Sequence, residues 1–139
     1  MLAFIADAFP EQYLSSLSAL GLDVQYDPQA DADSLSMRAS RASILIVRST
    51  KVTRKTIEGC PDLGLILRAG AGYDTIDVEA ASERGIYVSN CPGKNATAVA
   101  ELAFALMLAL DRRVVDGTVD LKGGKWNKKL YSQAAGLKG

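Results

Sequence analysis

Ile44-Leu45-Ile46-Val47-Arg48-Ser49-Thr50-Lys51 is the stretch that decides the fold. It opens with four consecutive apolar residues, three of them β-branched, and shows no polar alternation. A run like that suits a central parallel strand buried on both faces. The same grammar recurs on either side. Leu2–Ala6, Leu22–Tyr26, Leu65–Leu67 and Ile86–Val88 read as four more short strands. Helical signals fill the gaps. Pro10 opens a first helix, Tyr13, Leu14, Leu17 and Leu20 follow at helical spacing, and Gly21 sits at the C-cap position. Asp31–Arg41 reads as a polar, weakly amphipathic helix. Thr53–Cys60 is a short one stopped by Pro61. Asp74 caps a helix running to Arg84 and ending at Gly85, and Asn95–Leu110 is a long helix.

Strands alternating with helices argue for an α/β fold with a parallel sheet, the helices supplying right-handed crossovers. For five strands the expected order is 2-1-3-4-5, a flavodoxin-like sheet flanked by helices. Residues 1–94 make that domain. Residues 95–139 stand apart. The helix Asn95–Leu110 is apolar on nearly every side, which leaves two alternatives: a central core helix of this small domain, or a helix that packs on a partner domain or second chain. From Val114 the pattern loosens, with glycines at 117, 123, 124, 136 and 139 and no convincing terminal element.

Composition narrows the function. A chain of 139 residues with 48% apolar and 23% charged residues suits one globular domain. Sixteen basic residues balance sixteen acidic ones, so global charge favours neither nucleic acid nor an anionic membrane. There is no histidine, hence no usual general base and no common metal ligand. Cys60 and Cys91 are not in metal-ligand spacing and read as reduced thiols of a cytoplasmic protein. The N-terminus lacks a basic n-region, so no signal peptide is expected. The most apolar run, Ala96–Leu110, is shorter than the ~20 residues a membrane span needs and contains Glu101.

Ligands bind at the carboxyl ends of parallel strands. Arg48 follows the third strand and Arg68 the fourth, at the head of Arg68-Ala69-Gly70-Ala71-Gly72-Tyr73-Asp74. Arginine pairs bidentately with carboxylate or phosphate, and glycines expose backbone N–H groups to an anion. Together they make an anion pocket for a small acid. The plainer alternative is strand-end arginines paired with surface acids beside a tight turn. The loop is not a dinucleotide fingerprint, because a third glycine is missing. A phospho-receiver would need an aspartate where Arg48 stands and a lysine where Asn90 stands. A flavin site would need hydroxyls and glycines where Asp7-Ala8-Phe9-Pro10 stands.

Ile46–Thr53, Leu67–Asp77, Ala80–Pro92 and Ala98–Ala103 resemble the family of D-isomer-specific 2-hydroxyacid dehydrogenases. Through Gly124-Lys125-Trp126 the chain is most similar to the phosphoglycerate branch of that family. The resemblance implies an NAD-dependent oxidoreductase that turns 3-phosphoglycerate into 3-phosphohydroxypyruvate, the first step of serine synthesis. It also implies a Rossmann domain absent from these residues, its lead-in resembling Gly136-Leu137-Lys138-Gly139. That domain would carry the catalytic residues and the cofactor fingerprint, so this truncated chain is expected to be inactive, with no catalytic residue, no metal ligand and no bound NAD of its own.

The substrate contacts implied for a small phosphorylated 2-hydroxy acid are Arg48, Arg68, Ala69, Gly70, Ala71, Gly72 and Lys128, the last where relatives carry an arginine. Ala71 stands where relatives often have a threonine near the cofactor, and Val99 matches a position lining the nicotinamide. The long helix and tail, 95–139, are expected to pack on the missing domain or to join two copies into a homodimer. Two other classes stay open: a stand-alone binding module for a small phosphorylated acid, and a structural or engineered half-domain that binds nothing.

Overall fold

The computed structural model describes residues 1–137, so Lys138 and Gly139 of the expected lead-in lie outside the described residues. These divide into two compact units, Met1–Lys94 and Asn95–Gly139.

The first unit alternates strictly: β1 Leu2–Ala6, α1 Glu11–Ala19, β2 Asp23–Asp27, α2 Leu35–Arg38, β3 Ile44–Val47, α3 Arg54–Gly59, β4 Leu65–Arg68, α4 Val78–Glu83 and β5 Tyr87–Ser89. All strand pairs are parallel, in the order β2-β1-β3-β4-β5. The expected flavodoxin-like order is therefore the observed one. β3 sits centrally, as its unbroken apolar run requires. Neighbouring residues in register share a face. Phe4, Leu45 and Ile66 are neighbours in register, completely buried, and form one core with Leu35, Ile57, Ala80 and Ala81 from the helices. Each of the large side chains among them contributes about 1.5–3 kcal/mol on burial.

Two helices differ from the sequence expectation. α2 is a single turn, Leu35–Arg38, where a helix over 31–41 was expected. Asp31 does not enter the helix; its carboxylate accepts from the Ser34 N–H and hydroxyl, a local turn that competes with helix. α4 begins at Val78, and Asp77, not Asp74, is its cap, accepting from the Ala80 N–H at 2.9 Å. The cause lies in the segment before it. Val52 donates to the Thr75 carbonyl and accepts from Asp77 N–H, so Ile76 pairs with Val52 and the helix cannot start before Asp77.

The second unit holds α5 Ala96–Asp111, α6 Val114–Lys122 and α7 Lys128–Tyr131. No residue of the three helices is buried. α5 is thus not a central core helix of this domain; Leu102 and Phe104 are each 60% exposed and Leu110 is 79% exposed. The tail is also more regular than expected. Gly117 lies inside α6 beside the Tyr131 ring, where a Cβ would make an ordinary contact at 3.6 Å. The Tyr131 hydroxyl donates to Asp120 at 2.6 Å, and Asn127 caps α7. Gly124, at φ 72°, takes the left-handed turn after α6. Glycine frequency alone hid these two helices. No helix among the described residues is long and apolar enough to cross a membrane.

Candidate functional site

The parallel sheet brings the ends of β1, β3, β4 and β5 to one rim. Val47 pairs with Arg68 and Leu67 with Ser89, so Arg48, Arg68 and Asn90 emerge at nearly the same level.

Asp7 organises the first part of this rim. It follows β1 with φ 85°, an uncommon value for a residue with a side chain. Its Oδ2 accepts three backbone N–H groups: Arg48 at 2.8 Å, Ser49 at 3.1 Å and Thr50 at 3.1 Å. Partial burial pushes the pKa of this carboxyl up, but the three N–H groups and the Thr50 hydroxyl outweigh it. The carboxyl is therefore held below the usual carboxylate range. Asp7 thereby fixes the backbone of the loop that carries Arg48, while the Arg48 side chain stays in solvent.

The second part is the loop after β4. The Ala69 N–H donates to the Val47 carbonyl at 2.7 Å, and the Gly70 N–H turns back to the Arg68 carbonyl at 2.8 Å. On the far side, the Cys91 N–H donates to the Gly70 carbonyl at 2.9 Å and Asn90 Nδ2 to the Ala71 carbonyl at 2.6 Å. The Arg68 guanidinium folds back over Gly70, so closely that a Cβ there would collide with it. At Gly72 a Cβ would come within 2.9 Å of the Asp74 carboxylate. A side chain at either glycine would thus displace the end of a flexible neighbour, Arg68 or Asp74, and neither glycine has a positive φ.

Electrostatically the rim is unfinished. The ion pairs among the described residues use Arg38, Arg54, Arg112 and Arg113, and leave out Arg48 and Arg68. The plainer reading, arginines paired with surface acids, does not describe this rim. Arg68 Nε is buried and has no hydrogen-bond partner. A buried guanidinium N–H without an acceptor is costly, and an anion relieves it.

The structure thus brings Arg48, Arg68, Ala69, Gly70, Ala71 and Gly72 to one rim. Val99 and Lys128 belong to the second unit, on α5 and α7, and both are exposed. Asp7 and Asn90 were not singled out as site residues by sequence. Their only signal was position, each directly after a strand on the ligand side. Cys60 is fully buried and burial pushes its thiol up, which makes it a packing residue rather than a nucleophile.

A parallel five-stranded sheet in the order β2-β1-β3-β4-β5, with two arginines and a glycine loop at its carboxyl rim, defines a flavodoxin-like α/β domain whose candidate site lies at that rim. Residues 3–135 match the family described as D-isomer specific 2-hydroxyacid dehydrogenase, catalytic domain, and the chain belongs to that family. It is 39% identical to a D-3-phosphoglycerate dehydrogenase of Methanocaldococcus jannaschii over 97% of this chain and 27% of that protein. It is 50% identical to a hydroxypyruvate reductase of Thermotoga maritima over 71% of this chain and 33% of that protein. The chain therefore spans about a quarter to a third of these relatives' length. A crystal structure of a Thermus thermophilus protein superposes over the whole chain with a TM-score of 0.83 at 30% identity, covering 46% of that protein.

Proposed function

We propose that this chain supplies the substrate-binding portion of an NAD-dependent D-2-hydroxyacid dehydrogenase acting on 3-phosphoglycerate in serine synthesis. The observation that carries it is the buried, unpartnered Arg68 Nε above the Gly70–Gly72 backbone, a donor set waiting for a carboxylate or phosphate. Arg48 at the next strand end adds a second positive charge for a substrate with two anionic groups, a carboxylate and a phosphate. NAD would accept the C2 hydride while the hydroxyl proton goes to a base, giving the 2-oxo acid. The 139 residues contain neither a histidine nor a Gly-x-Gly-x-x-Gly run, so they do not fit the dinucleotide platform. Ala71 offers no side-chain donor to a nicotinamide, and its part and that of Val99 would be limited to contact. On this reading the chain alone forms no NADH. The two reduced thiols fit a cytoplasmic setting, and the exposed apolar face of α5 fits pairing with a second copy through 95–139.

A second reading is favoured by the 50% identity to the Thermotoga maritima hydroxypyruvate reductase: a smaller, unphosphorylated acid. An amide-shift NMR titration decides between them. Shifts at Arg48, Arg68 and 69–74 with 3-phosphoglycerate, and none with lactate or hydroxypyruvate, support the phosphorylated substrate. Shifts with hydroxypyruvate alone support the second reading. No shift with any acid at millimolar concentration sinks both.

A further inference from the structure

We propose that Asn90 is a positioning residue that aims the backbone amides of Ala71 and Gly72 at the substrate's anionic group. The inference rests on the reading of this rim as an anion site and deepens it.

The argument starts from the peptide unit. In a trans peptide the C=O of one residue and the N–H of the next point in opposite directions, and the chain has no cis bond. The Gly70 carbonyl accepts from the Cys91 N–H at 2.9 Å, so the Ala71 N–H of that unit points away from β5. The Ala71 carbonyl accepts from Asn90 Nδ2 at 2.6 Å, so the Gly72 N–H points away from Asn90. Two successive carbonyls are thus pulled to one side and two successive amides are turned to the other. Successive N–H groups turned the same way make an anion-binding concavity. Among the described residues neither amide has an acceptor.

The two holds differ in kind. The one on Gly70 comes from a backbone N–H and survives any substitution at 91 other than proline. The one on Ala71 comes from a side chain alone. The peptide between Ala71 and Gly72 is therefore the part of the cradle whose orientation one residue controls. The geometry identifies the atom, since only Nδ2 of Asn90 can donate to a carbonyl. Asn90 is half-buried at the end of β5, level with Arg68, so its donor is held by the sheet rather than by a loop. Arg68 crosses over Gly70 on the same loop. The guanidinium therefore lies beside the loop that carries both amides.

The test uses the 139-residue chain, ¹⁵N-labelled, as wild type, Asn90→Ala and Asn90→Asp. Asn90→Asp keeps the shape and loses the donor. Asn90→Ala loses the donor without adding charge. Two quantities are read: residual dipolar couplings of the Ala71 and Gly72 amides without ligand, and the affinity for 3-phosphoglycerate by titration. We expect the Gly72 coupling to change in both variants while couplings in β1, β3 and β4 stay. Affinity should weaken roughly five- to tenfold in Asn90→Ala, the scale of one lost hydrogen bond, and further in Asn90→Asp. Unchanged couplings at Gly72 with intact wild-type binding overturn the positioning role alone. A changed coupling with wild-type affinity in Asn90→Ala overturns it too, since the amides then contribute nothing. No wild-type shift with 3-phosphoglycerate removes the anion reading itself, and the inference with it.

Discussion

Replacing Asp7 tests how the rim is built. One carboxylate oxygen accepts three backbone N–H groups, at 2.8, 3.1 and 3.1 Å, across the gap from β1 to the loop after β3. Hydrogen bonds to a charged acceptor contribute about 1.5–3 kcal/mol each when shielded. Arg48 and Ser49 are exposed and water replaces part of their share, so about 1 kcal/mol each is the better scale, or about 2–3 kcal/mol for the side chain. The backbone adds a second effect. Asp7 has φ 85°, where alanine costs roughly 1 kcal/mol more than glycine. Three variants separate these. Asp7→Asn keeps an acceptor and tolerates this φ, so it loses least. Asp7→Gly removes the side chain but relieves the strain a Cβ meets at this φ, and loses about 1–2 kcal/mol. Asp7→Ala keeps the strain and loses about 2–3 kcal/mol. Urea unfolding at pH 7 measures all three. The charge also sets a pH dependence. The folded carboxyl titrates below its unfolded value, so its contribution is complete above about pH 4 and fades as pH falls through the folded value. The gap between wild type and Asp7→Ala must therefore narrow toward pH 3. Equal losses for Gly and Ala would refute the backbone argument. A loss under about 0.5 kcal/mol in Asp7→Ala, within ordinary surface substitutions, would refute the clamp.

Gly70→Ala should leave stability within about 1 kcal/mol, because its φ is ordinary, yet drive the Arg68 guanidinium aside and abolish the 3-phosphoglycerate shifts. Unaltered binding in that variant counts against Arg68 as the anion's partner. Ile66→Ala, at a completely buried position between Leu45 and Val88, should cost about 2–5 kcal/mol in urea unfolding. The chain should sediment as a dimer, and Phe104→Glu with Leu110→Glu should shift it toward monomer. A wild-type monomer at high concentration excludes pairing through 95–139.

Much of the sheet was legible because its signal is local. Ile44–Val47 has no polar residue to place on a wet face, so it must be central, and every strand expected beside it is present. Helix ends were less legible because tertiary contacts set them. Asp74 and Asp77 are equally good caps by residue type; what chooses Asp77 is Val52, distant in sequence, pairing with Ile76 just before it. Gly117 reads as a helix breaker, yet it lies inside α6. A glycine costs a helix only about 1 kcal/mol relative to alanine, so one alone does not end it.

The site divides along the same line. Groups that would meet a ligand directly, the arginines and the glycine loop, announce themselves by type and by place after a strand. Groups that orient them do not. Asp7-Ala8-Phe9-Pro10 offers nothing to a phosphate as a sequence, and that remains so, for Asp7 is negatively charged. Its work is on the backbone of the neighbouring loop, which sequence spacing does not show as adjacent. Asn90 stands where a receiver domain's lysine would be missed, and it works through a carbonyl rather than on a ligand. Both belong to strands at different distances from β4, and only the order β2-β1-β3-β4-β5 puts them on one rim. An anion site assembled from backbone amides depends on whatever turns the peptides, so its specificity resides partly in residues that never touch the anion. On the proposed anion reading, the acid and the amide at the ends of β1 and β5, rather than further arginines, are where changes in ligand preference should be sought.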